Sequence, residues 1–155
     1  MPPEVIEESA DQLVNGVREA AGLLAEMAGA HSGAIHKISE ELCQEDGEQT
    51  RRMAATILAN AFVFQESLAG GPGKLAEINS LEELRGKSGL SKSAVLTEWR
   101  KILAVNYWPI FDIARRILEP IPGASSKALV ERMADTADKL LKNRLMRSHD
   151  LTGAV

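Results

Sequence analysis

Gly86-Lys87-Ser88 is the segment of this chain closest to a phosphate-binding loop, where backbone amides cradle phosphates, a lysine reaches them and a hydroxyl binds magnesium. That loop needs another glycine five residues before Gly86, and position 81 is Leu. Gly73-Lys74 fails in a second way, because Leu75 stands where the hydroxyl should be. His31 and His36 are five apart, so on a helix they do not project together, and His149 is remote; no metal site is expected. Cys43 is the sole cysteine, which rules out an intrachain disulfide and a zinc cluster of cysteines. It also sits in a helical pattern with no nearby histidine to activate it.

The paired acids Glu7-Glu8, Glu40-Glu41, Glu45-Asp46 and Glu82-Glu83 hold the residue types of acid–base catalysis. Adjacent positions on a helix diverge by about 100°, however, and general acid–base work needs a pocket that separates two pKa values. Solvated faces and helix starts account for them better. No catalytic, cofactor-binding or metal-ligating residue is therefore assigned.

Two basic groups are candidate DNA contacts. Leu90-Ser91-Lys92-Ser93-Ala94-Val95, followed by Trp99, looks like the second helix of a helix-turn-helix. In that reading Ser91 to Ser93 reach base edges, and Arg85, Lys87, Lys92, Arg100 and Lys101 meet phosphate. The competing reading, favoured by the acidic charge of the whole chain, is a capped helix that buries Val95 and Trp99 and leaves its basic residues solvated. The second group, Lys139, Lys142, Arg144 and Arg147, lies near the end of the last helical pattern. There the helix dipole alone explains cations, and DNA is the alternative.

Composition sets the frame for these groups. A chain of 155 residues with 45% hydrophobic and 26% charged side chains is expected to fold as one globular domain with a real core. The net charge of -4 argues against a surface built wholly for phosphate backbone, so any nucleic-acid contact must be a local patch. Met1-Pro2-Pro3-Glu4 leads into Glu7-Glu8 rather than a basic start and apolar run, and no apolar stretch reaches the ~18 residues of a membrane span. A soluble, cytoplasmic protein is the expectation.

Apolar spacing follows the helical period almost throughout. Ile6, Leu13, Val17, Leu24 and Met27 predict a helix over about 4–28, and Ile35, Ile38 and Leu42 a short second one. Met53, Ile57, Ala61, Phe64 and Leu68 form one row of a third helix, beside Ala54, Leu58 and Phe62; a stripe that wide predicts a helix in the middle of a bundle, capped by Asp46 or a neighbouring acid, with Glu45, Asp46 and Glu48 at the positive end of its dipole, and ended by Gly70-Gly71-Pro72-Gly73. Residues 74–90 predict two short turns and a loop at Gly86-Lys87-Ser88-Gly89. Ser91 caps a helix containing Val95, Trp99, Ile102 and Leu103; another runs over about 108–118 with Pro109 in its first turn; the last spans about 125–147, with Leu129, Met133, Leu140 and Leu141 inward. No strand alternation is sustained. The fold class is all-α, an irregular bundle of about six helices.

Three strings carry a resemblance: Arg51-Arg52-Met53-Ala54 through Ala59-Asn60-Ala61, Tyr107-Trp108-Pro109-Ile110-Phe111-Asp112-Ile113-Ala114, and Asp150-Leu151-Thr152-Gly153. In this order, over most of residues 35–155, they resemble the helical region upstream of the methyltransferase domain in large bacterial N6-adenine DNA methylases of restriction-modification type. The resemblance implies a non-catalytic N-terminal scaffold that precedes the catalytic domain, so that the chemistry lies beyond residue 155. It implies S-adenosylmethionine as the parent protein's cofactor, DNA as its substrate, and a specificity subunit or self-association as further partners. Neither the glycine-rich cofactor loop nor the Asn-Pro-Pro loop of that family occurs here, so this chain alone is expected neither to bind the cofactor nor to transfer methyl groups. A freestanding helix-turn-helix regulator and a helical protein-interaction module are the alternatives.

Overall fold

Pro3 opens the first helix, a position where its missing N–H costs nothing, and α1 runs over Pro3–Ala30. It is followed by α2 (Ser32–Glu41), α3 (Glu48–Leu68), a 3-10 turn over Gly73–Glu77, then α4 (Leu81–Lys87), α5 (Lys92–Val105), α6 (Pro109–Leu118) and α7 (Gly123–Gly153). This computed structural model describes residues 3–153, with the side chains of 3, 5, 6, 9 and 143–153 outside the description. All elements among the described residues are helical. The all-α expectation holds, with seven α-helices rather than about six.

The start of α3 differs from expectation. Its N-cap is Gly47, with no side-chain cap, whereas Asp46 receives two hydrogen bonds from Arg51 and the Glu45 carbonyl accepts from the Thr50 hydroxyl. The Asp46 carboxylate and the Glu45 main chain therefore brace the turn from outside the helix, while Glu48 stands in its first turn as expected. The two apolar rows of α3 also separate. Ala54, Leu58 and Phe62 are buried with Ala55, Ala59 and Ala61, because α1, α6 and α7 all pack on that side. Met53 and Phe64, of the other row, remain 37% and 44% exposed. Three neighbouring helices cover one face of α3; of the second row they seal Ala61 and partly cover Ile57 and Leu68, leaving Met53 and Phe64 at the edge.

Residues 81–87 form a true helix rather than a turn. Ser80 accepts from the Glu83 amide while Glu83 accepts from the Ser80 amide, a reciprocal cap that satisfies two otherwise free donors. Gly86 and Lys87 lie inside α4 and not in a loop. The expected caps of α5 and α6 are present: Ser91 accepts from the Ala94 amide, and Pro109 stands in the first turn of α6.

One core joins the helices. At its centre Trp99 of α5 lies between Phe62 of α3 and Phe111 of α6, with ring centroids 5.4 and 6.3 Å away and planes tilted by 52°, a geometry that aromatic quadrupoles favour. Helices α1 and α7 pack antiparallel, as the pairing of Glu19 with Arg132 and of Gly16 with Thr136 requires.

Candidate functional site

Two buried polar side chains, Gln65 and Glu98, converge on the Asn79 turn between α3 and α5. Gln65, fully buried on α3, accepts from the Trp99 indole at 3.0 Å and donates to the Asn79 carbonyl at 3.0 Å. Glu98, 1% exposed on α5, accepts from the Asn79 backbone and side-chain amides at 2.9 and 2.6 Å, and Lys101 stands 2.9 Å from its other oxygen. The Asn79 side-chain oxygen in turn accepts from Lys87. Every polar member has a partner, so the network locks α3, α4 and α5 together rather than offering an unpaired group to a substrate.

A second network surrounds the α5–α6 hairpin. The Lys92 ammonium donates to the carbonyls of Glu119 and Ile121 at 2.6 and 2.5 Å, which satisfies acceptors just past the end of α6. Arg115 holds Glu119 through two bonds and Asp112 through a third, while Arg100 approaches Glu119 at 3.3 Å. The hydrogen bond from Arg115, before any other cause, holds the Asp112 carboxyl below its usual range. Arg116 links this helix to α2 through Glu41.

Two clefts remain. The larger, about 830 Å³, follows α2 and the turn after it, with Ser32, His36, Glu40, Cys43 and Asp46 among its walls. His36 lies 2.9 Å from Glu40, Asp46 is held by Arg51, and the Cys43 thiol makes no hydrogen bond among the described residues, so no nucleophile is joined to a base. The smaller, about 310 Å³, lies between α1 and α7 and is lined by Gln12, Asn15, Arg18, Glu19, Arg132 and Lys139. Glu19 and Asp135 neutralise Arg132, and Asp135 also meets Lys139 at 3.1 Å. Among the described residues no three His, Cys, Asp or Glu side chains are grouped as a metal would need, and no helix is long and apolar enough to cross a membrane.

The candidate DNA contacts therefore fall into two sets with different surroundings. Lys92 and Lys101 are engaged in the framework, as are Arg85, 2.7 Å from Asp138, and Lys87; Arg100 is 59% exposed. On α7, Lys139 pairs with Asp135, Lys142 is exposed, and Arg144 and Arg147 lie outside the described side chains. Sequence reasoning missed the network of Gln65, Asn79, Glu98 and Trp99, whose members lie on separate elements and carry no local signal. Comparison with protein-family models, curated proteins and solved structures gives no match.

Proposed function

We propose that this chain is the non-catalytic helical N-terminal domain of an S-adenosylmethionine-dependent N6-adenine DNA methyltransferase of a restriction-modification system, acting as scaffold and DNA contact. One observation carries this reading. The two longer strings that resemble that family lie on α3 and at the start of α6, which pack against each other; Met53 and Tyr107 of them are exposed, while Ala54, Ala55, Leu58, Ala59, Ala61, Phe111 and Ala114 are buried. Residues in such positions set helix packing, which is what a shared helical architecture would keep in common. The polar groups of this core bond to one another, which suits support rather than turnover. S-adenosylmethionine belongs in this reading to the catalytic domain that follows.

The gene itself provides the test. Its reading frame downstream of the Val155 codon is expected to continue into a glycine-rich strand-turn-helix and then an Asn-Pro-Pro loop; a stop codon there would sink the reading. Calorimetric titration of this chain with S-adenosylmethionine is expected to give no saturable heat.

The helix-turn-helix reading is the second, favoured by Gly89. Its φ of +81° lets the chain reverse between α4 and the Ser91 cap of α5. The two readings are compatible, since a scaffold domain can contain such a unit.

A further inference from the structure

Neighbouring helices cover α3 along one side, and its outer side lacks the charges that a solvent-facing helix usually carries. From Met53 to Gly73 the only ionisable side chain is Glu66, in a chain of which 26% is charged. Glu66 accepts from the Leu81 amide at the start of α4. On the outer side Met53, Ile57, Asn60 and Phe64 follow at intervals of four, three and four residues and so share a face. Met53, Asn60 and Phe64 are exposed there, and Ile57 is half-buried.

The polar groups of this strip single out Asn60. The Thr56 hydroxyl donates to the Arg52 carbonyl and the Ser67 hydroxyl to the Val63 carbonyl, so both are satisfied within the helix. The Asn60 side chain makes no hydrogen bond among the described residues. An apolar partner would strand its amide, whereas a second Asn60 offers an acceptor for its donor and a donor for its acceptor. Ionisable residues return only at the ends of the strip, Glu48 and Arg52 before it and Lys74 and Glu77 after it, as in a contact whose centre is uncharged and whose rim is polar. Each end carries one charge of either sign. Two chains of net charge -4 repel one another, and along this face they can meet without juxtaposing like charges.

We propose that the outer face of α3 is the contact between two copies of this chain, with the two α3 helices antiparallel and Asn60 on the two-fold axis. Ile57 and Phe64 lie on either side of Asn60 at nearly equal spacing, so antiparallel pairing lays Ile57 of one copy against Phe64 of the other. The helix dipoles then run in opposite directions, and the paired amides in an apolar seam fix the register. At 21 residues α3 is about 31 Å long, and a strip one helix wide, about 10 Å, covers roughly 300 Å² on each copy. That area is below those of permanent interfaces, so the dimer forms and dissociates with concentration. The pairing does not depend on the function proposed above.

Sedimentation velocity of the full chain at about 5 to 500 µM is expected to show a reversible monomer–dimer equilibrium. Phe64→Lys, a change at an exposed position, should weaken the dimer at least about 10-fold, with thermal melting by circular dichroism unchanged. Cross-linking reads the orientation. In the Cys43→Ser background, Asn60→Cys should form an intermolecular disulfide on mild oxidation. Met53→Cys should not, because antiparallel pairing holds the two copies of position 53 about 21 Å apart along the helices. A monomer at every concentration, which would leave the face to a different protein, overturns the proposal. So does a dimer insensitive to Phe64→Lys, or cross-linking at position 53 that equals or exceeds that at position 60.

Discussion

Gly16 of α1 faces Thr136 of α7 so closely that a Cβ at position 16 would stand 2.1 Å from the Thr136 hydroxyl oxygen and 2.8 Å from its methyl. Thr136 is 1% exposed, and its hydroxyl donates to the Arg132 carbonyl at 2.9 Å, so it has nowhere to retreat.

Gly16→Ala should therefore destabilise the chain by about 2 kcal/mol, although alanine in a helix interior normally gains up to about 1 kcal/mol over glycine. Adding Thr136→Ala should restore part of the loss. Urea denaturation of the single and double variants checks this, and additive losses would contradict the contact.

Gln65→Leu keeps the volume roughly constant and removes both of the residue's bonds. The Trp99 indole N–H and the Asn79 carbonyl then lose their partners, at a cost of about 2 to 4 kcal/mol. A shift in tryptophan fluorescence should accompany the lower denaturation midpoint.

Cys43 stands in the left-handed region, φ +54°, just after α2. Its amide bonds to the Glu40 carbonyl and the Gln44 amide to the Ser39 carbonyl, the closing pattern that usually employs glycine. Cys43→Gly should raise stability by about 0.5 to 1 kcal/mol, the relief of strain exceeding the added entropy of the unfolded chain. Thermal melting reads the difference.

Burial, the largest cause, pushes Glu66 above its ordinary 4.5, with Asp138 and Glu83 adding to the rise while the Leu81 amide and Arg85 oppose it. The folded state then binds the proton more tightly than the unfolded one, so stability falls as pH rises from 4.5 through the folded value. Glu66→Gln should stabilise the chain at pH 7 by less than about 1 kcal/mol, because the half-exposed site is screened. The gain should vanish below pH 4.5; a pH-independent difference would contradict this origin.

Helix positions were legible because Val17, Leu24 and Met27 on α1, Val95, Trp99 and Ile102 on α5, and Leu129 and Met133 on α7 are buried at the apolar period, although Leu140 and Leu141 are only partly covered and the Ile6 side chain lies outside the described residues. What the period could not give was coverage. Met53 and Phe64 have the spacing of core residues, yet only the neighbours α1, α6 and α7 decide which row of α3 is sealed. The same limit governs the candidate site. Lys92 and Arg100 are both basic residues of α5, and the sequence holds no local sign that the carbonyls after α6 capture the first while the second stays exposed beside the Glu119 carboxylate. Such pairings join residues 27 and 29 positions apart, where local spacing carries no information.

The most direct test of the central claim expresses the complete product of the gene encoding this chain in a methylation-deficient host and maps N6-methyladenine across the DNA. The account predicts N6-methyladenine at a defined sequence, lost when Phe111→Asp disrupts the packing of α6 on Trp99. DNA without N6-methyladenine, or methylation unaffected by that change, would contradict it.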